Sequence, residues 1–238
     1  MSASTRRLCK PVVDKVARRP NRYGEDVGKV KCQISISADG FAAGPNQGEE
    51  HPLGEGGEDL HEWVVKLAAW RQSHGREGGE VTASSEIFEE AAGGTGAVLM
   101  GRNMFGPVRG PWTEPLWNGW WGDEPPFHVP VFVLTHHERE PLTLGETTFH
   151  FVTEGVERAV ELAREAAGDQ DVSVGGGAET IQECFRAGLL DEILINQVPV
   201  VLGGGERLLD GIPPSVKLEQ MRVVDAPGVA HFFYALSY

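Results

Sequence analysis

This chain of 238 residues has little cysteine, a deficit of positive charge and no long apolar run. Its three cysteines, Cys9, Cys32 and Cys184, are odd in number and far apart. That spacing suits neither a disulfide framework nor a zinc site, and it fits a reducing compartment, so a cytoplasmic protein is expected. No stretch approaches the roughly 18 consecutive apolar residues of a membrane span. The N-terminal segment is basic (Arg6, Arg7, Lys10, Lys15, Arg18, Arg19) but lacks an apolar signal core, so it is not read as a secretory signal. With 21 Lys and Arg against 35 Asp and Glu, the net charge is −14. Such a chain has no general affinity for nucleic acid or anionic membranes. The G-x-G-x-x-G dinucleotide fingerprint with its following acidic residue is missing too, and there is no internal repeat.

What is present is ordinary in bulk and specific in detail. Apolar residues make up 40% and charged residues 24%, as in a soluble globular protein, and the length suits one domain. Residues 1–28 are polar and basic with Pro11, Pro20 and Gly24, and read as a mobile arm without a catalytic role. Residues 29–238 read as the domain. Val30 to Ser37 alternates as a strand closed by Asp39-Gly40. A helix is expected from Glu58 or Asp59 onward, with Leu60, Trp63, Val64, Leu67 and Ala68 on one face. A second covers Ser84 to Ala92. Strands follow at 97–101, 131–135 and 147–152. A helix capped by Thr153 and ended by Gly168 carries Val156, Ala159, Val160, Ala163 and Ala167 on one face. Strand 171–175, helix 178–187 and strand 192–198 come next, and 215–225 with 229–238 form an antiparallel pair. The alternation of strand and helix implies a largely parallel sheet covered on both faces.

The densest signal is Asp171-Val172-Ser173-Val174-Gly175-Gly176-Gly177-Ala178-Glu179-Thr180-Ile181. A β-branched strand ends in three glycines and a helix starts at once. Glycine lets backbone approach a ligand, and a helix N-terminus offers unpaired N–H groups and partial positive charge. The run is either a seat for a pyrophosphate or a tight strand-to-helix turn. An anionic ligand on so acidic a chain needs local positive charge, for which Arg102, His136, His137 and Arg139 are the sources. The adjacent His136 and His137 leave a strand in opposite directions and are not a metal pair; no metal is expected. The segment Gly106 to Pro130, with Trp112, Trp117, Trp120 and Trp121, is too long for a connector. It is either a flap whose tryptophans cover the core or a lid over a substrate.

These blocks stand in a telling order. They are Ile34-Ser35-Ile36-Ser37-Ala38-Asp39-Gly40-Phe41-Ala42-Ala43-Gly44-Pro45, Val98 to Phe105 with its Gly101-Arg102, Val131 to His137, the triple glycine, and Val198-Pro199-Val200-Val201-Leu202-Gly203-Gly204-Gly205. In that order the chain resembles the dihydrofolate reductase-like superfamily. The likeness is strongest to the branch of the riboflavin-biosynthesis reductase domain and related bacterial reductases. It covers about Lys29 to Tyr238. The resemblance implies a three-layer α/β/α fold with a mostly parallel mixed sheet and an antiparallel C-terminal edge. It also implies NADPH as cofactor, a small-molecule substrate and a homodimer. By the same resemblance Gly175, Gly176, Gly177, Ala178, Glu179 and Thr180 hold the pyrophosphate, and Gly101, Arg102, Asn103 and Met104 lie along the phosphates. Leu134, Thr135 and His136 meet the adenosine half, Arg102 and a histidine suit a 2′-phosphate, and Ala43 lines the nicotinamide. An acid near the start of the first helix, Asp59 foremost with Glu58 and Glu62 beside it, would hold the substrate ring. Asp39 is a turn former or a site residue.

Two departures narrow the function. The H-x-E…P-C-x-x-C zinc deaminase signature is absent, so a bifunctional deaminase–reductase is not expected. Where riboflavin reductases usually carry an acid just before their glycine pair, this chain has Ser173-Val174. The expected function is therefore NADPH-dependent hydride transfer to a small heterocyclic or carbonyl/imine substrate, pterin-like or pyrimidine-like. The alternative is a catalytically silent NADP-binding sensor or interaction module.

Overall fold

The computed structural model describes residues 28–107 and 109–238. The expected N-terminal arm, apart from Gly28, lies outside the described residues. The strands are β1 (Val30–Ser37), β2 (Phe41–Ala43), β3 (Thr95–Gly101), β4 (Val131–Leu134), β5 (Leu142–Leu144), β6 (Thr147–Val152), β7 (Asp171–Gly176), β8 (Glu192–Val198), β9 (Glu206–Arg207), β10 (Lys217–Ala226) and β11 (Val229–Ser237). The helices are α1 (Glu62–Val65), α2 (Ala68–Ser73), α3 (Ala83–Ala92), α4 (Arg102–Phe105), α5 (Val156–Ala167) and α6 (Ala178–Arg186), with a 3₁₀ turn over Gly57–His61.

Nine strands form one sheet in the order β10-β11-β8-β1-β7-β3-β4-β6-β5. The interior pairs β8·β1, β1·β7, β7·β3, β3·β4 and β4·β6 are parallel. Both edges are antiparallel: β8·β11·β10 at one side and β6·β5 at the other. The C-terminal edge was expected. The second edge is an addition, made by a hairpin through Gly145-Glu146 too short to stand out as alternation. A separate two-stranded sheet, β2·β9, joins the loop after β1 to the loop after β8.

Period-two geometry divides the core. On β3, Ala97 and Leu99 face the cluster with Ala159, Val160 and Ala163 of α5 and Ile181 and Phe185 of α6. Val98 and Met100 face the opposite side with Phe105, Val131, Val133 and Phe149. Every residue of β3 after Thr95 is buried, as a parallel strand covered on both faces requires. A third cluster of Leu60, Trp63, Val64 and Leu67 rests on Val198, Ala226 and Val229. The result is three layers: α5 and α6, the sheet, and then α1–α3 with the tryptophan-rich loop.

Two local expectations change. The first helix is not continuous: Leu67 is extended (φ −69°, ψ 138°) and its segment pairs with Glu80. Ala68 N–H donates to the Glu80 carbonyl (2.9 Å) and Glu80 N–H to the Lys66 carbonyl (2.8 Å). Those backbone groups are taken by a strand-like bridge and are lost to a helix ladder. Thr153 does not cap α5 either. The N-cap is Gly155 at φ +97° without a side-chain bond, and the Thr153 N–H donates to the Glu154 carboxylate (2.9 Å).

Candidate functional site

A cavity of about 980 Å³ opens along the C-terminal ends of β1, β3, β4 and β7. In open α/β sheets this end of the strands is where ligands are received. The glycine turn forms part of its wall. Gly176 takes φ +126°, which L side chains rarely adopt, and the Gly176–Gly177 peptide is cis. A Cβ at Gly175 would press on the Met104 thioether, whereas one at Gly177 would meet nothing within 4 Å. Gly177 therefore keeps an open space in front of the first turn of α6, for which it is the N-cap without a side-chain bond. Gly101, at the end of β3, lies so close to α6 that any Cβ there would collide with the Thr180 hydroxyl.

All of the residues expected to meet a cofactor reach the wall of this one cavity: Ala43, the Gly101–Met104 run, Leu134 to His136, and Gly175 to Thr180. The last three runs arrive from the ends of β3, β4 and β7, which the sheet order makes neighbours, and Ala43 from β2 of the separate two-stranded sheet. Within that wall Arg102 is singular. Its Nε and both terminal nitrogens are buried and have no hydrogen-bond partner among the described residues. Its guanidinium carbon lies 3.0 Å from the centre of the Trp112 ring. Burial and the nearby Arg139 pull the guanidinium down to about 10, so it is still charged at neutral pH. A buried cation without a partner is costly, and an arriving anion relieves that cost.

Arg139 has a different task. It donates to the Trp117 carbonyl (2.5 Å) and to Asn118 Oδ1 (2.9 Å). Trp112 Nε1 donates to the His137 carbonyl (3.0 Å) and Trp117 Nε1 to the Phe105 carbonyl (3.1 Å). The tryptophan-rich loop is thus fastened to the strand ends. It covers the core with Trp112, Trp117 and Trp121 and lines the cavity with Trp120 and Trp121. His136 reaches the cavity from an exposed position. Glu179 and Glu183 also line it, and burial with the neighbouring Glu179 raises the Glu183 carboxyl above its ordinary range.

The opposite end of the cavity is built from Gln33, Ser35, His61, Trp63 and Asn196. Sequence reading passed over all of these as site residues, Trp63 having been assigned to the core. His61 precedes α1 in the 3₁₀ turn, and its Nδ1 is buried without a partner. Burial holds its imidazole below the ordinary value, against the opposing pull of the Gly57 carbonyl and Glu58. The only signal for His61 was its place two residues after Asp59, and a 3₁₀ turn gives that offset a different direction from an α-helix.

The two expected acids lie elsewhere. Asp59 is exposed and lines a smaller depression of about 380 Å³ with Lys66 and Thr82. Asp39 accepts from Leu202 N–H (3.1 Å) and Gly203 N–H (2.8 Å). The Ser37 hydroxyl and those backbone donors hold it down to about 2. Asp39 clasps the β1–β2 turn to the loop after β8, and its carboxylate is spent on backbone donors.

A family model described as the RibD C-terminal domain matches residues 28–231. No curated protein matches the sequence. Among solved structures, the chain is similar to a protein assigned to riboflavin biosynthesis from Shewanella sp. PV-4, with TM-score 0.58 and 19% identity over 88% of this chain and 99% of that one. It is also similar to a diaminohydroxyphosphoribosylaminopyrimidine deaminase/5-amino-6-(5-phosphoribosylamino)uracil reductase from Thermotoga maritima, with TM-score 0.53 and 14% identity over 90% of this chain. Acinetobacter baumannii RibD gives TM-score 0.52 and 12% identity, again over 90% of this chain. The match spans only 58% and 59% of those last two chains. At these identities the likeness is one of fold.

Proposed function

We propose, from the premise that this chain belongs to the RibD C-terminal domain family, that it is an NADPH-dependent reductase of a small heterocyclic or carbonyl/imine substrate. The observation that carries this reading is the meeting of the unpartnered Arg102 guanidinium and the open Gly177 turn on one cavity wall.

These residues fit a phosphate-bearing dinucleotide. The first turn of α6 offers backbone N–H groups to a pyrophosphate. Arg102 offers a planar set of donors to a further phosphate, and Thr135 and His136 stand beside it on the cavity wall. That pairing favours the cofactor with a 2′-phosphate. When bound, the reduced nicotinamide supplies the two electrons of the reduction as hydride. The protein's own share is alignment and exclusion of water. Ala43 and the β1 end set one side of the reacting region, and Trp63, Trp120 and Trp121 give flat apolar surface for a flat substrate. His61, neutral at pH 7, is the buried imidazole at the substrate end and is assigned to hydrogen-bond the reacting C=O or C=N. Residues 29–238 act as one reductase domain, and a homodimer in the cytoplasm is part of the same proposal.

Calorimetric titration with NADPH and, in parallel, NADH tests the reading. Micromolar or tighter NADPH binding with much weaker NADH binding supports it, and absence of both removes it. NADPH binding without turnover on a panel of pterins, pyrimidines, quinones and imines would favour the silent sensor.

A further inference from the structure

Behind the substrate end of the cavity lies a buried polar chain that no cofactor residue touches. The sheet register sets Ser35 of β1 beside Asn196 of β8, and Asn196 beside His231 of β11. The three side chains form one row across three adjacent strands. Ser84, in the first turn of α3, closes the row. Its Oγ lies 2.9 Å from His231 Nε2, and His231 Nδ1 lies 2.7 Å from Asn196 Oδ1. Ser84, His231 and Asn196 are 2%, 0% and 1% exposed. Trp63 lies edge-on to the His231 ring (5.1 Å, 76°) and donates from Nε1 to Ser35 Oγ (3.2 Å).

The polarity of this chain follows from its ends. Burial, helped by Arg222 on β10, pulls the His231 imidazole down to about 4. The ring is neutral at pH 7, with one donor nitrogen and one acceptor. Asn196 Oδ1 can only accept, so Nδ1 carries the proton and Nε2 accepts from the Ser84 hydroxyl. With its oxygen turned to His231, Asn196 directs its Nδ2–H₂ group the other way, and Asn196 lines the cavity. Ser35 Oγ accepts from Trp63, so its own O–H is free to donate into the same space. Neighbouring strands are about 4.8 Å apart, which places two donors side by side.

We infer that Asn196 determines substrate specificity as a fixed N–H donor, held in that orientation by His231 and Ser84, and that the substrate is an uncharged planar ring presenting a carbonyl oxygen to it. This rests on the reductase reading in taking the cavity as the substrate site. His231 and Ser84 are positioning residues, since neither reaches the large cavity. A site that holds a cationic or amino-bearing ring needs an acceptor, most simply a carboxylate. Gln33, Ser35, Trp63 and Asn196 carry no carboxylate; of the acids on the cavity wall, Glu179 and Glu183 belong to α6 and Glu206 to the separate β2·β9 sheet, and Asp59 stands at the other depression. Mispairing of a buried donor leaves it unsatisfied, which discriminates more sharply than shape does.

The test uses two flat probes of one shape on the full chain, the lactam 2-quinolone and 2-aminoquinoline, which offers donors where the lactam has its oxygen. Wild type is expected to bind 2-quinolone at least about tenfold tighter. Asn196→Asp, which replaces the donor by an acceptor, is expected to invert that preference, and Ser84→Ala to bring the ratio toward one with NADPH affinity unchanged. Nitrogen NMR of His231, assigned by loss of its signals in His231→Gln, is expected to show a protonated Nδ1 and a bare Nε2. That measurement stands even where Asn196→Asp does not fold. A protonated Nε2, equal binding of the probes by wild type, or binding of neither would overturn the inference. Failure of NADPH to bind while the probe preference persists would instead remove the reductase reading and leave the donor row standing.

Discussion

The two ends of the cavity are made in different ways. The end proposed for the cofactor is largely backbone, glycines and the first turn of α6, with the Arg102 guanidinium beside it and without a hydrogen-bond partner among the described residues. The end proposed for the substrate carries neutral side chains, of which Ser35 is engaged by Trp63 and Asn196 by His231. An open turn with an unpaired charge can take a large anion whose every copy is alike. A row of oriented neutral groups reads one particular pattern of donors and acceptors. In the proposed reading the first design serves a shared cofactor and the second a chosen substrate.

The contrast can be broken most forcefully at Gly177. Gly177→Asp puts a carboxylate into the open space facing the helix start, and like-charge contact costs several kcal/mol. NADPH affinity is expected to fall at least about a thousandfold, with 2-quinolone binding kept. A folded variant that binds NADPH like wild type would show that the glycine turn is not the phosphate seat.

The substrate end has its own acid sensitivity. The unfolded chain binds a proton at His231 below pH 6.5, whereas the folded chain resists it until about 4. Stability is therefore fully present above pH 6.5 and is lost as pH falls toward 4, by roughly 2–3 kcal/mol from this group. Urea unfolding of wild type and His231→Gln across pH 4–7 measures it, and equal slopes in both would assign the acid loss elsewhere.

Arg102→Gln sharpens the comparison from the other side. Removing charge-assisted hydrogen bonds to a phosphate is worth about 2 kcal/mol, a loss of about thirtyfold in NADPH affinity. NADH affinity should barely move, and the ligand-free protein should change little in stability, because loss of the stacking on Trp112 is offset by removal of a buried charge without hydrogen-bond partners. A drop in melting temperature without ligand would mean that Arg102 is structural.

The smallest effect is expected at His61. His61→Asn keeps a polar group but removes the ring, and turnover should fall about tenfold, with NADPH affinity unchanged. Turnover equal to wild type would leave the reacting group without help from this residue.

The residues that line one wall of the cavity were largely legible because they lie in short continuous runs. Val98 to Met104, Val131 to His136 and Asp171 to Thr180 each carry a strand and the turn that follows it. Parallel strands covered on both faces are so uniformly apolar that their ends are easy to find. The sequence is compatible with the long loop after α4 as flap or as lid; in the structure Trp112, Trp117 and Trp121 cover the core, and Trp120 and Trp121 line the cavity. The substrate end was not legible. Asp59 looked right because helix starts favour acids, yet that preference is satisfied by solvent exposure as well as by a ligand. His61 was hidden because residues 57–61 form a 3₁₀ turn where the spacing predicts an α-helix.

The amino-acid sequence by itself determined the strand–helix alternation, the glycine turn and the Gly101-Arg102 corner. All of these rest on interactions between residues near one another in the chain: periodicity, backbone freedom and helix termini. Only the tertiary structure decided that β8 lies between β1 and β11. That order sets Ser35, Asn196 and His231 in one row, because side chains at matched register on neighbouring strands share a face. Residues 35, 196 and 231 carry no mark of one another along the chain. Their meeting is a property of strand order, which the packing of the whole sheet fixes.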